Sequence, residues 1–174
     1  MTEQKKKAFF EELLKQAKQI TEAARLSDNA PYDGGTMLTA LFSTVSDGSG
    51  VCTFETELIE AFEGEPQVEI LVTMPFEVAD DDAFVELMDA VINMNFYVPM
   101  GAFGFHNPSE RMFFRYTGFV DENKSVADMA ADVIELYKKI AMVIGNVFAP
   151  LERIATGESD YETEAEDGVL PEQE

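Results

Sequence analysis

The chain has 174 residues, 46% of them hydrophobic, with a formal net charge of −22 at pH 7 and a sequence pI of about 4.1. This length fits one domain with a substantial core, and the apolar content is typical of a globular protein. A strongly negative field repels phosphate backbones and anionic headgroups, so we expect neither nucleic acid nor a membrane surface as a partner.

Cysteine usage and the apolar runs indicate a cellular compartment. The one cysteine, Cys52, cannot form a disulfide within the chain, which suits a reducing cytoplasm. The first residues, Met-Thr-Glu-Gln-Lys-Lys-Lys, lack the apolar run of a secretion signal, and no segment approaches the roughly 18 apolar residues of a membrane span. We therefore predict a cytoplasmic protein.

The first predicted element is an amphipathic helix within residues 1–26. Residues 1–25 carry six basic and four acidic residues, whereas 26–155 carry six and twenty-two, so we expect the acidic body to balance the charge of this helix. A loop at 28–35 follows it. Apolar residues recur along the helix at spacings of three and four: Phe9, Phe10, Leu13, Leu14, Ala17, Ile20 and Ala24.

Alternating apolar and polar residues then predict three strands, at 36–46, 51–59 and 67–74, with a tight turn at 47–50. One face of the second strand carries Cys52, Phe54 and Leu58, and the other carries Glu55 and Glu57. One face of the third carries Val68, Ile70, Val72 and Met74, with Glu69 on the opposite face.

The second half of the chain predicts two helices and two more strands. Asp80–Asp82 suit the start of a second helix, whose buried stripe we expect to be Phe84, Leu87, Met88, Val91 and Ile92. Strands at 102–105 and 111–119 follow. Ser125 then begins a third helix that can reach residue 154, and Pro150 predicts a kink or break near 145–149.

This order, α-β-β-β-α-β-β-α, predicts an α+β fold with a five-stranded antiparallel sheet and helices on one face. We expect a single domain over residues 1–155. Residues 156–174 hold eight acidic residues and no basic one, and we predict that they form a mobile tail.

Two arginines form the most informative charged feature. Between Arg25 and Lys124, only Arg111 and Arg115 are basic, against eighteen acidic residues. Strand alternation places Arg111, Phe113 and Arg115 on the face away from the helices. We expect them to share that face with Glu55, Glu57 and Glu69. Three interpretations stay open: a solvated ion-pair lattice, a site for a carboxylate-bearing ligand or acidic peptide, and a subunit interface.

The third helix is apolar nearly all round, so more than one side of it must be covered. The sheet covers one side, and either the first helix or a second subunit in a homodimer covers another. The candidate packing residues are Met142, Val143, Val147, Phe148 and Leu151.

Catalytic and cofactor motifs are not recognisable in the sequence. The glycines at 101 and 104 lack the strand–GxGxxG–helix context of a phosphate loop. His106 and Cys52 are each the only residue of their type, too few for a soft-metal site. We therefore expect no cofactor, no metal and no enzymatic activity.

Three segments carry a family resemblance: Leu87-Met-Asp-Ala-Val-Ile-Asn-Met-Asn95, Val98-Pro-Met-Gly-Ala-Phe103 and Met112-Phe-Phe-Arg-Tyr-Thr117. Residues 36–155 resemble the YbjN-like bacterial family, described broadly as sensory-transduction regulators. The resemblance implies a fold like that of type III secretion chaperones, which are small, acidic, non-enzymatic and commonly dimeric, and which hold segments of partner proteins.

The expected function is accordingly that of a non-enzymatic protein-binding or regulatory module with a chaperone-like fold. The alternative is a sensor of a small ligand or anionic peptide, using the sheet face around Arg111 and Arg115.

Overall fold

The computed structural model describes residues 1–28, 30, 35–45, 50–62, 65–106, 109–168 and 170–171, with the backbone alone at 61 and 62. The predicted turn at 47–50 falls outside the described residues except for Gly50. The elements are α1 (Glu3–Ala17), β1 (Ala23–Ser27), β2 (Met37–Ser43), β3 (Val51–Phe62), β4 (Glu65–Thr73), α2 (Asp81–Met94), β5 (Ala102–His106), β6 (Arg111–Phe119), α3 (Val126–Ala155) and α4 (Tyr161–Glu166).

The strands form one open sheet in the order β1-β2-β3-β4-β6-β5, and every neighbouring pair is antiparallel. The α+β class and the antiparallel sheet are confirmed, but the prediction of five strands is wrong. The sixth strand is β1, which pairs with β2 from Ala23↔Leu41 to Ser27↔Met37.

The extra strand exists because α1 is shorter than the apolar spacing indicates. The helix ends at Ala17, where the Thr21 hydroxyl donates to the Ala17 carbonyl oxygen at 2.8 Å and so satisfies one of the last helical acceptors. Ala24, which fits the helical stripe, instead lies in β1 and packs with Leu26 against the core.

The hydrophobic core lies on one face of the sheet, beneath the helices. The alternation predicted for β3 and β4 is confirmed, because Phe54, Ile70 and Val72 are fully buried there. Tyr137 of α3 packs against the Phe54 ring, with 5.1 Å between ring centroids, and its hydroxyl lies 2.5 Å from that of Thr56. The opposite face of the sheet carries the charged side chains.

Helix α3 is continuous through Pro150, so, of the kink or break expected near 145–149, the break does not occur. Ser125 caps it: its hydroxyl accepts from the Asp128 amide at 3.1 Å and donates to the Asp128 carboxylate at 2.6 Å. A Cβ atom at Gly145 would lie 2.2 Å from the Thr44 carbonyl oxygen, so the glycine allows the helix to approach the end of β2 closely.

Helix α3 is also the element on which α1 and α2 pack, since both contact it. Helix α2 begins as predicted, with Asp80 accepting from the Ala83 amide at 2.9 Å. Its predicted stripe is partly wrong. Leu87 and Val91 are buried, but Ile92 is 54% exposed, and Ala90 and Met94 occupy the buried positions instead.

Part of the positive charge of α1 is paired with the body of the protein, in the direction expected. The Lys6 ammonium lies 3.4 Å from a Glu60 carboxylate oxygen, and that of Lys5 donates to the Lys124 carbonyl at 3.2 Å. Among the described residues, no helix combines the length with the apolar character needed to cross a bilayer.

The described residues after 156 include a fourth helix, α4, that the acidic composition did not indicate. Helix α4 contacts α2, and Tyr161, Ala165 and Leu170 are buried. The Arg153 guanidinium donates to both carboxylate oxygens of Glu164, at 2.8 and 2.5 Å, and only 2% of Glu164 is exposed. Whether this segment moves in solution stays a prediction.

Candidate functional site

The six residues predicted for the charged sheet face line one cavity of about 410 Å³. We call it the sheet-face cavity. It lies on the side of the sheet opposite the helices, over β2, β3, β4 and β6. Its predicted lining residues are Glu55, Glu57, Glu69, Arg111, Phe113 and Arg115, and its further ones are Met37, Leu71, Thr73, His106 and Ser109.

Strand register explains why residues so distant in sequence meet here. Glu57 of β3 pairs directly with Glu69 of β4, and Glu55 pairs with Leu71. Leu71 in turn pairs with Arg115 of β6. The antiparallel order β3-β4-β6 therefore places β4, with Glu69, at the centre of the cavity, between the two glutamates of β3 and the two arginines of β6.

Arg115 pairs with a carboxylate that is almost completely buried. Its Nε donates to Glu69 Oε2 at 2.8 Å, and its Nη2 contacts the same oxygen. Glu69 is 3% exposed, so its charge is removed from water and needs this cation. Of the three interpretations of the arginines, this pair fits an ion-pair lattice.

Arg111 points away from Arg115, to the segment that follows β4. Its Nη1 donates to the Pro75 carbonyl oxygen at 2.9 Å, and its Nη2 to Glu77 Oε1 at 2.6 Å. Glu77 was not predicted, because it lies outside the strands whose alternation identified the other residues. Its side chain is 76% exposed, so the ion pair contributes about 0–1 kcal/mol and the carbonyl contact fixes the direction of Arg111.

An excess of negative charge remains in the sheet-face cavity. Three carboxylates and two guanidiniums line it, and Glu57 and Glu69 are directly opposite each other across two strands. Both are buried, at 5% and 3% exposure, and like charges in this position repel. The lining therefore contains one more carboxyl group than guanidinium groups.

Phe113 forms an apolar wall of the cavity. Phe113 pairs with Gly104 of β5, and a Cβ atom at residue 104 would lie only 2.6 Å from the Phe113 ring. Because Gly104 has no side chain, the ring can lie across β5 and leave the floor above Leu71 open.

The five residues predicted for packing on α3 divide into two groups. Phe148 and Leu151 are buried within the chain, and the Phe148 ring packs against Phe76 at 5.6 Å between centroids. Met142 is 64% exposed, and with the half-buried Val143 and Val147 it lines a groove of about 420 Å³ beside residues 97–100. Of the two alternatives for covering the second side of α3, the first helix does contact it. The homodimer stays a prediction.

Potential catalytic groups are placed far from the cavity or lie at its edge. Cys52 is fully buried on the helical side, and burial raises the pKa of its thiol to about 11, which keeps it protonated and unreactive near neutral pH. His106 is exposed at the rim, with Nδ1 2.7 Å from the Ser109 hydroxyl. In the described part of the chain, no three His, Cys, Asp or Glu side chains are arranged to hold a metal ion.

No protein-family model matches the chain, and no curated protein matches it in sequence.

Proposed function

We propose that this protein is a non-enzymatic, cytoplasmic binding module that holds a segment of a polypeptide partner on the open face of its sheet. The observation that supports this proposal is the convergence of six charged and aromatic residues, from three strands, on one cavity outside the core. The helices leave this face uncovered, and its exposed apolar residues, Leu41 and Phe119, flank the cavity.

A chaperone-like fold and the YbjN-like family are part of the same proposal. They are supported by the acidic composition, by one antiparallel sheet covered on one side, and by the three segments around Asn95, Phe103 and Arg115. In the structure these segments form the end of α2, the start of β5 and the centre of β6.

Selection from a library of displayed peptides tests the proposal even though the partner is unidentified. We expect the immobilised protein to enrich peptides that lose affinity about 10- to 100-fold in Phe113→Ala, since the aromatic wall contributes about 1.5–3 kcal/mol of apolar contact. The control Ile92→Ala removes an exposed apolar side chain from α2, on the other side of the molecule, and should bind as the wild type does.

Selected peptides that bind the wild type and Phe113→Ala equally, or that bind in the groove beside Met142 instead, would contradict a binding role for the sheet face. Unchanged far-UV circular dichroism of each variant excludes unfolding as the cause of lost binding.

A further inference from the structure

We infer that the bound segment is basic and presents a lysine or arginine side chain to Glu55 in the sheet-face cavity, with an apolar residue against Phe113. This inference depends on the function proposed above and specifies the chemistry of the partner. It differs from the expectation of an anionic ligand, which Arg111 and Arg115 suggest when the sequence is considered alone.

The directions of the two arginines disfavour an anion. They are four residues apart on β6, which corresponds to about 13 Å along the strand. Arg115 turns to Glu69, while Arg111 turns the other way to Pro75 and Glu77. A ligand carboxylate would compete with Glu69 and Glu77 for these cations, and displacing Glu69 would leave a buried charge without that partner.

Glu55 has the opposite properties. It is half-buried at the wall of the cavity and belongs to none of the ion pairs formed by the described residues. Leu71 lies between Glu55 and Arg115 in the register, which separates the two backbones by two strand spacings, or about 10 Å. Glu55 is therefore available to a cation that enters above Leu71.

The floor of the cavity suits the shape of a basic side chain. Met37, Leu71 and Phe113 provide apolar contacts for the methylene stem of lysine or arginine, while the charged end reaches Glu55. At long range, the net charge of −22 attracts cationic segments and repels anionic ones.

A polypeptide is favoured over a free amine because the apolar surface continues beyond the cavity. Leu41 is 38% exposed and lies in the same cross-strand row as Thr53, Thr73 and Phe113. Phe119, at the other end of β6, is 67% exposed. A small amine would leave both side chains uncovered, whereas an extended segment with alternating basic and apolar residues can contact them.

Methyl NMR of protein labelled at the methionine Cε positions tests this inference at the site itself. Met37 lines the cavity and Met142 lies on α3, on the other side of the sheet. The probes are a pentapeptide of alternating leucine and arginine, its leucine–glutamate counterpart, and argininamide. We expect the arginine peptide to shift the Met37 resonance saturably and to leave Met142 unchanged.

A matched pair of variants separates the site from general charge attraction. Glu55→Gln should weaken the arginine peptide about tenfold, because it removes one charge-assisted contact. Glu152→Gln makes the same charge change at an exposed position of α3 and should leave the affinity unchanged.

The outcomes distinguish this inference from the function on which it depends. A stronger Met37 shift with the glutamate peptide would overturn the cationic partner but retain the sheet face as a binding surface. Equal affinity for argininamide and the arginine peptide would overturn a polypeptide occupant. If neither peptide shifts Met37 while library-selected peptides do, the basic chemistry is wrong; if the selected peptides also leave Met37 unchanged, the proposed function fails as well.

Discussion

The hydrogen bond between Thr56 and Tyr137 joins the centre of β3 to α3, and its energy can be isolated with three variants. Both residues are completely buried, and their hydroxyl oxygens are 2.5 Å apart. Burial raises the pKa of Tyr137, so the phenol stays neutral and able to donate. Tyr137→Phe retains the ring that packs on Phe54 and removes only the hydroxyl.

Each single substitution leaves one buried hydroxyl without its partner, which costs about 1–3 kcal/mol of the free energy of unfolding. Thr56→Val preserves the side-chain shape and leaves the tyrosine hydroxyl without its hydrogen-bond partner. Tyr137→Phe leaves the Thr56 hydroxyl without its partner in the same way. The double variant contains neither hydroxyl, so we expect its stability to be close to the wild-type value. The coupling energy between the two positions, which is the sum of the two single losses minus the loss in the double variant, should therefore be about 2–6 kcal/mol.

Urea denaturation of the four proteins, followed by circular dichroism, measures this coupling. Tyr116→Phe is a suitable control, because Tyr116 is half-buried on the same face and its hydroxyl makes no hydrogen bond among the described residues. It should change the stability little. If the double variant loses the sum of the two single losses to within about 0.5 kcal/mol, the hydroxyls are not coupled and the reasoning is refuted.

Three further predictions concern the helical side of the protein. Gly145→Ala should destabilise the protein by about 1–3 kcal/mol in urea denaturation, because its Cβ would collide with the Thr44 carbonyl oxygen. Asn146→Ala, at the neighbouring exposed position, should be neutral or slightly stabilising. Equal effects of the two substitutions would contradict the close approach of α3 to β2. Burial raises the pKa of Cys52 to about 11, so the unfolded state loses the thiol proton first as the pH rises. The free energy of unfolding should therefore fall by about 2–3 kcal/mol between about pH 9 and 11. Cys52→Ala should lack this fall, and an unchanged dependence of stability on pH in the variant would refute the prediction. The hydrogen bond from Arg153 lowers the pKa of Glu164, so the docking of α4 should be complete above the ordinary glutamate pKa and be lost as the pH falls through the lowered pKa. Arg153→Gln should speed amide exchange in α4 about tenfold at neutral pH. Unaltered exchange would show that the ion pair does not hold the helix.

The sheet face was predictable because strand alternation has a strict period of two. Once β3, β4 and β6 were identified, the faces of Glu55, Glu69 and Arg115 followed independently of the strand order. The ion pairs were not predictable in the same way. Whether Arg115 meets Glu69 or Glu55 depends on register, and Arg111 meets Glu77 through an irregular segment that carries no periodic signal.

The errors arose where local patterns conflict with tertiary contacts. Ala24 fits the helical spacing of α1 but pairs as part of an edge strand, which β2 stabilises and helix periodicity cannot reveal. Ile92 fits an apolar stripe, yet the short residues Ala83 and Ala90 face the core because α2 packs closely. Three of the six residues of helix α4 are acidic, and the helix is held by Tyr161 and by an ion pair with a residue of α3.

The position of α3 along the chain has a consequence for biosynthesis. The apolar face of β2–β4 is complete at Thr73, but the helix that covers it ends about 80 residues later, at Ala155. At a translation rate of about 5–20 residues per second, the nascent sheet waits for about 4–16 s before α3 has been synthesised. During that interval its apolar face is open to chaperones and to neighbouring nascent chains, an exposure that the full-length chain refolding from urea does not undergo.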